Sequence, residues 1–268
     1  MDLNNLQRNF EGYLNTPILW CDDDLYRLKP YILRTSAPEP FEEHLGHNLR
    51  LGKMVERFVF HQLAADLSCT ILADNIQIQD GKRTIGELDV LLMTKAGPVH
   101  LEIIYKFYLY DPDEGDTEIS HWIGPNRQDA LVQKLSKLKE KQLPLLYHPK
   151  TQPLLEHLGL ALTKIKQEVL FKAQLFLPLD LKDAVFHKLN PACVVGFYIR
   201  RDQLCRFKSA QFFIPEKGDW IMNCHENVAW LDDVDFTTEV NTWLDKKRSP
   251  LCWLKEGDTI EKFFVVWW

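Results

Sequence analysis

No C-x-x-C pair occurs in the chain; its six cysteines, Cys21, Cys69, Cys193, Cys205, Cys224 and Cys252, are widely scattered. That spacing excludes a zinc ribbon and a dithiol redox motif, and makes reduced, buried thiols the expectation. An apolar run of the roughly 18 residues that a membrane span needs is also missing. The opening MDLNNLQRNF lacks the basic-then-apolar pattern of a secretory signal. The expectation is a soluble, cytoplasmic protein. P-loop, G-x-G-x-x-G, G-x-S-x-G and H-E-x-x-H signatures are absent, as is any internal repeat. Basic excess is missing too: a net charge of -6 argues against a protein that coats nucleic acid by charge alone, while leaving room for a local basic groove.

What is present is ordinary globular material. The 268 residues are 46% hydrophobic and 26% charged, enough for a sizeable core in one large domain or two modest ones. The informative stretch is Thr84 to Tyr108. Side chains alternate along a strand, so Glu87, Asp89 and Leu91 share one side of the first run, opposite Leu88, Val90 and Leu92. In the second run Leu101, Ile103, Tyr105 and Phe107 oppose His100, Glu102, Ile104 and Lys106. A turn over Met93 to Pro98, punctuated by Gly97-Pro98, predicts a hairpin. Carboxylates inside apolar strands are costly to desolvate unless paired or bound to a metal. Asp89 and Glu102, facing each other across the hairpin, would suit a hard divalent cation, with Lys106 near a phosphate or an attacking water. An antiparallel sheet with one solvated, ordinarily charged face fits the same pattern.

Around this hairpin the chain reads as follows. Residues 1–49 carry short helical signals and the helix-breaking Ser36-Ala37-Pro38-Glu39-Pro40, with Trp20, Tyr26 and Tyr31 as packing residues. From Arg50, Leu51, Met54, Val55, Phe58, Val59 and Leu63 follow helical spacing, with Glu56 at the stripe's edge. Ile71 to Gln79 reads as a strand ending at Asp80-Gly81 and paired with the Glu87 strand. Asp111 to Glu118, five acids without a base, reads as a solvated loop. Asn126 is a plausible N-cap for a helix running to about Gln142, with Leu131, Leu135 and Leu138 buried. Arg127, Lys134, Lys137 and Lys141 form a basic stripe that would grip a phosphate backbone or simply face solvent. Residues 144–166 read as a connector and a helix. Strands follow at Val169 to Leu177, Cys193 to Arg200 and Gln211 to Ile214. Val228 to Asp245 is acidic, with no base. The closing FFVVWW is too apolar to stand uncovered. Cys224-His225 would be only half of a metal site.

The order helix with Glu56, strand, Gly86-Glu87-Leu88-Asp89 strand, Glu102-x-x-x-Lys106 strand and basic helix resembles the PD-(D/E)XK nuclease superfamily over about residues 50–142. More narrowly, RLGKMVERFVFHQL, GELDVLL, HLEIIYKFYL and GPNRQDALVQKLSKL resemble a bacterial family of unknown function, number 1853. The resemblance implies an α/β, restriction-endonuclease-like core (helix, three strands, helix, strand) on a mixed sheet. Around it the chain divides into residues 1–49 as an N-terminal cap, 50–178 as the nuclease-like core, and 179–268 as a β-rich C-terminal region packed on or extending it. The resemblance further implies Asp89 and Glu102 as ligands of Mg2+ or Mn2+, Glu56 as an auxiliary acid, Glu87 as a spare carboxylate, and Lys106 as the catalytic lysine of phosphodiester hydrolysis on DNA or RNA. A catalytically inactive nucleic-acid-binding module and a structural or protein-interaction protein are the alternatives. One feature departs from the superfamily's pattern. Its glutamate and lysine lie two residues apart, whereas Glu102 and Lys106 lie four apart, about 13 Å between Cα atoms instead of about 6.6 Å. A bulge near Ile103 or Ile104 would shorten that span. Without one, Lys106 would bind phosphate further along.

Overall fold

The computed structural model describes residues 3–22, 25–33, 40–46, 49–181 and 186–268. Ser36 to Glu39, read above as a helix breaker, lie outside the described residues. The first elements are helices α1 (Leu3–Asn15) and α2 (Leu51–Ala65), then strands β1 (Cys69–Asp80), β2 (Arg83–Thr94), β3 (Gly97–Tyr110) and β4 (Trp122–Ile123). They are followed by α3 (Leu131–Lys137), the short α4 (Gln152–His157), β5 (Lys166–Pro178), β6 (Val194–Arg200) and β7 (Gln211–Phe213). The chain closes with α5 (Asp233–Leu244), β8 (Leu251–Glu256) and β9 (Thr259–Val266). This is an α/β protein with one large mixed sheet in the order β1-β2-β3-β5-β6-β9-β8-β7, with β4 on the side of β3. The pairs β3–β5, β5–β6 and β6–β9 are parallel, and the pairs outside them are antiparallel.

Period-two alternation decides which helix covers which face. Val90, Leu92, Leu101, Ile103, Tyr105 and Phe107 pack with α1 and with the apolar stripe of α2, Met54, Val55, Phe58, Val59 and Leu63. Each such fully buried side chain contributes roughly 1.5–3 kcal/mol. The opposite face of β3, with Ile104 and Tyr108, lies under Leu131, Leu135 and Leu138 and under Leu19, Trp20 and Leu28 from the N-terminal segment. Neither face is therefore the solvated one that an ordinary half-buried hairpin would have. The turn between β2 and β3 is two residues, Lys95-Ala96, because Thr94 already pairs with Gly97. The apolar β9 lies between β6 and β8, so its Phe263 to Val266 have no open edge.

The N-terminal segment completes the sheet. β6 pairs with β5 only at Leu175 to Pro178, which leaves the earlier part of that edge without a strand. Residues 18–19 and 29–31 fill it: Leu19 N–H donates to Phe171 O at 2.8 Å, Tyr31 N–H to Val169 O at 2.9 Å, and Val169 N–H to Lys29 O at 2.9 Å. Lys172 Nζ donates to the last-turn carbonyls of α1, Tyr13 O at 2.8 Å and Leu14 O at 3.3 Å, where a cation suits the helix dipole. A buried chain of hydrogen bonds continues from Thr16 Oγ1 through Tyr105 Oη (2.7 Å) and Gln174 Nε2 (2.9 Å), and from Gln174 Oε1 to Lys262 Nζ (2.9 Å).

Four regions differ from the sequence reading. The helix expected from Asn126 begins at Leu131. Ile123 and Ala130 instead bridge around a tight loop in which Gly124 N–H donates to Asp129 O at 2.7 Å, and Asn126 Oδ1 accepts Ser249 N–H at 2.8 Å rather than capping a helix. The acidic loop after β3 is anchored, not simply solvated: Asp111 and Glu114 pair with Arg127, and Glu118 accepts the backbone N–H groups of His187, Lys188 and Leu189. In residues 144–166 the only α-helix is the single-turn α4; 3-10 turns make up much of the rest. The acidic stretch after Val228 contains α5, whose N-cap Asp232 accepts the N–H groups of Val234 and Asp235.

Gly12 marks where α1 presses closest on the rest of the fold: a Cβ there would stand 2.1 Å from the carbonyl oxygen of Ile221. Because the clash is with backbone, Gly12→Ala is expected to cost about 1–3 kcal/mol. A lower urea midpoint at unchanged m-value checks this.

Candidate functional site

The β2–β3 ladder runs from Thr94–Gly97 to Val90–Leu101 and stops. Past that point β2 continues with β1 to Arg83, and β3 continues with β5 to Leu109, so the strands part as a fork. Asp89 and Glu102 are the first residues beyond the last pair. Ile103 N–H, no longer matched to β2 backbone, donates to Asp89 Oδ2 at 2.8 Å.

Glu102 is fully buried, and both of its oxygens are engaged. Gln142 Nε2 donates to Oε2 at 2.5 Å, and His100 Nε2 lies 3.1 Å from Oε1. Gln167 Nε2 reaches His100 Nδ1 at 3.0 Å and Leu143 O at 2.6 Å. The network assigns the neutral imidazole tautomer with its proton on Nε2: that N–H donates to Glu102 while Nδ1 accepts from Gln167. At the other end, Lys134 Nζ donates to Gln142 Oε1 at 2.8 Å. Local helix geometry makes this contact. In an unbroken α-helix Gln142 would stand about 80° round the axis from Lys134. Residues Leu138–Gln142 form a π turn instead, which winds less per residue and returns Gln142 to the side of Lys134.

Charge in this fork is strongly perturbed. Burial and the neighbouring Glu102 push the Asp89 carboxyl up to about 7; the Ile103 N–H and Lys134 act against them, while Glu56 adds to them. Burial draws Lys134 down to about 8, helped by Lys137 and Lys106 and opposed by Glu102 and Asp89. Glu56 is also raised, chiefly by burial, although Lys53 holds it at 2.8 Å. The same Lys53 ammonium reaches Glu87 at 2.6 Å and Asn75 Oδ1 at 2.7 Å, tying α2 to the β1–β2 arm.

The residues singled out from sequence are thus divided. Asp89, Glu102, Glu56 and Lys134 share the fork, and Glu87 lies at its edge with Lys53. Lys106 does not join them. The β3–β5 register is continuous from Val99 to Leu109, so the bulge expected near Ile103 or Ile104 does not form, and Lys106 Nζ pairs with Asp129 Oδ2 at 2.6 Å. Arg127 stands off the basic stripe: it occupies the loop before α3 at φ 56°, paired with Asp111 and stacked over Trp268. Lys137 and Lys141 remain together, lining with Asp89 an open cavity of about 760 Å³ whose far wall includes Tyr147 and His148. His225, half of the weak Cys224-His225 pair, lies near Arg8 Nη1 and Met222 Sδ. Sequence reasoning missed Gln142, Gln167 and Lys53. The i,i+3 spacing of Lys53 and Glu56 was a usable signal, whereas the π turn that aims Gln142 left none.

Among the described residues no cluster of three or more His, Cys, Asp or Glu side chains is arranged to hold a metal. The two fork carboxylates nonetheless fit a hard divalent cation by their chemistry. They are oxygen donors, an ionised carboxylate has lone pairs beyond those that Gln142 and His100 use, and the repulsion that raises Asp89 is what a cation would relieve.

Fold and site together define an α/β protein whose mixed sheet divides around a buried, carboxylate-centred polar network. The chain belongs to the family described as domain of unknown function (DUF1853), whose model matches residues 13–266. No curated protein and no solved structure matches it.

The raised Asp89 sets a stability signature. A carboxyl shifted from 3.8 to about 7 holds its proton more tightly in the folded protein, so stability falls as pH climbs between those values. Asp89→Asn keeps an oxygen for Ile103 N–H and removes the charge. In metal-free buffer above neutral pH it is expected to melt higher than the native protein, with the gap closing as pH falls toward 3.8.

Proposed function

We propose that the fork is the catalytic centre of a metal-dependent nuclease that hydrolyses phosphodiesters, on a core of the PD-(D/E)XK type. The observation that carries this reading is the pairing of Asp89 and Glu102 on adjacent diverging strands, with a half-buried lysine at the same point and two more lysines lining the cavity outside. The order α2, β1, β2, β3, α3, β5, with β3 and β5 parallel, supports it. Asp89 and Glu102 would hold magnesium or manganese, which when bound supplies polarisation of the phosphate and a more acidic water. Lys134 takes the role that the sequence resemblance gave to Lys106. Its Nζ is fixed by Gln142, and its lowered proton affinity suits it to hold or give up a proton beside the reacting phosphate near neutral pH. His100 and Gln142 orient Glu102, and Lys137 and Lys141 bind flanking phosphates of DNA or RNA. The engagement of both Glu102 oxygens favours a second reading, a nucleic-acid-binding module without turnover.

Cleavage of mixed single- and double-stranded DNA and RNA, read alongside melting temperature, separates the two. Magnesium or manganese is expected to raise the melting temperature of the native protein and to support cleavage. Asp89→Asn and Glu102→Gln are expected to lose both responses. Lys134→Ala is expected to keep the metal-induced shift while kcat falls about 10²–10⁴-fold, the usual loss for a proton-transferring group. Binding without cleavage by the native protein selects the second reading.

A further inference from the structure

A second cavity, also of about 760 Å³, opens where the amino end of α2 meets the far part of β3. Three cations line it, Arg50, Lys106 and Lys217, against one carboxylate, Asp129. Asp129 is already paired with Lys106 at 2.6 Å, and neither Arg50 nor Lys217 makes an ion pair among the described residues. Two neutral donors, Asn126 and Gln128, share the wall; the Asn126 oxygen is occupied by Ser249 N–H, which leaves its amide group to donate. The helix adds partial positive charge. Arg50 at its N-cap provides no side-chain cap, and its first turn holds no acid.

A basic, donor-lined pocket fits a phosphate group, and its position says which one. Glu102 and Lys106 lie on one side of a continuous strand, about 13 Å apart at their Cα atoms. From these observations we infer that the cavity binds a backbone phosphate of the same nucleic-acid strand that reaches Asp89 and Glu102, a short distance along from the bond that is cut. The strand phosphate takes the place of Asp129 on Lys106. Lys106 is therefore a substrate-positioning residue, and Asp129 is the anion that occupies its site when no strand is present. This inference rests on the nuclease reading for the identity of the strand, but its test needs no turnover.

The test is equilibrium binding in EDTA of a short fluorescent single-stranded DNA, with inorganic phosphate as competitor. Lys106→Ala combined with Lys217→Ala is expected to weaken binding of the strand by ~10-fold and to lower the slope of log affinity against log salt by about 1 per lost contact. Asp129→Asn is expected to tighten binding several-fold, a gain that a purely structural ion pair would not give; it decides the matter even if the double variant folds poorly. Phosphate is expected to compete with the strand on the native protein and less on the double variant. Equal strand affinity of native protein and all these variants overturns the inference, even if the protein cleaves nucleic acid. Phosphate binding that does not compete with the strand overturns it as well. If the variants behave as expected and the native protein cuts nothing with magnesium or manganese, this site stands and the nuclease reading falls.

Discussion

A backbone N–H inside a sheet must find an acceptor, and at Ile103 that acceptor is a carboxylate instead of the next carbonyl of β2. The rest of the candidate site depends on this exchange. It lets β2 leave β3 without stranding a buried donor, and the gap so opened admits the Gln142 amide from one side and the edge of α2 from the other. A carboxylate in that position is costly in water-poor surroundings, and Glu102 beside it raises the cost. Side chains distributed over β3, β5 and the π turn offset part of that cost by holding Glu102 at both oxygens. The fold thus carries a local destabilisation at the point where chemistry is proposed, the usual relation between an active centre and its scaffold.

The two faces of β3 use polar groups differently. On the α1 side, Tyr105, Gln174 and Lys262 hydrogen-bond to one another and to backbone, so their polarity is consumed in fixing α1 and the loop at Trp220 to the sheet. On the α3 side the chain runs from Gln167 through His100, Glu102 and Gln142 to Lys134, which is brought to about 8 near an Asp89 brought to about 7. Burial draws Lys262 in the first network down to about 8 as well, so what sets the α3 side apart is the raised carboxyl beside its lysine.

Much of this was legible in the sequence, for identifiable reasons. The strands β2, β3 and β5 announce themselves because each buries at least one face, and α2 because its stripe keeps helical spacing over four turns. Asp89 and Glu102 could be paired because period-two alternation leaves few registers for a short hairpin. The α5 helix was hidden by its composition: Asp, Thr and Val are mediocre helix formers, and its Phe236, Val240, Leu244 stripe is narrow. The helix wheel, which assumes uniform winding, puts Lys134 in a basic stripe facing a phosphate backbone or solvent, and the π turn that links it to Glu102 through Gln142 breaks that assumption. The lysine of the proposed site therefore lies on α3 and not on β3. Arg127 left the stripe because its loop is closed by the Ile123–Ala130 bridge, which sequence spacing does not encode.

The N-terminal segment's place against β5 bears on how the molecule is made. Leu19, Lys29 and Tyr31 hydrogen-bond to Val169 and Phe171, so about 140 residues are synthesised between one half of this pairing and the other. At the usual 5–20 residues per second that is roughly seven to thirty seconds on the ribosome. During that interval Leu19, Trp20 and Leu28 lack the β5 residues they pack with, and β3 lacks its parallel neighbour. The candidate fork acquires its support from Gln167 only when β5 emerges.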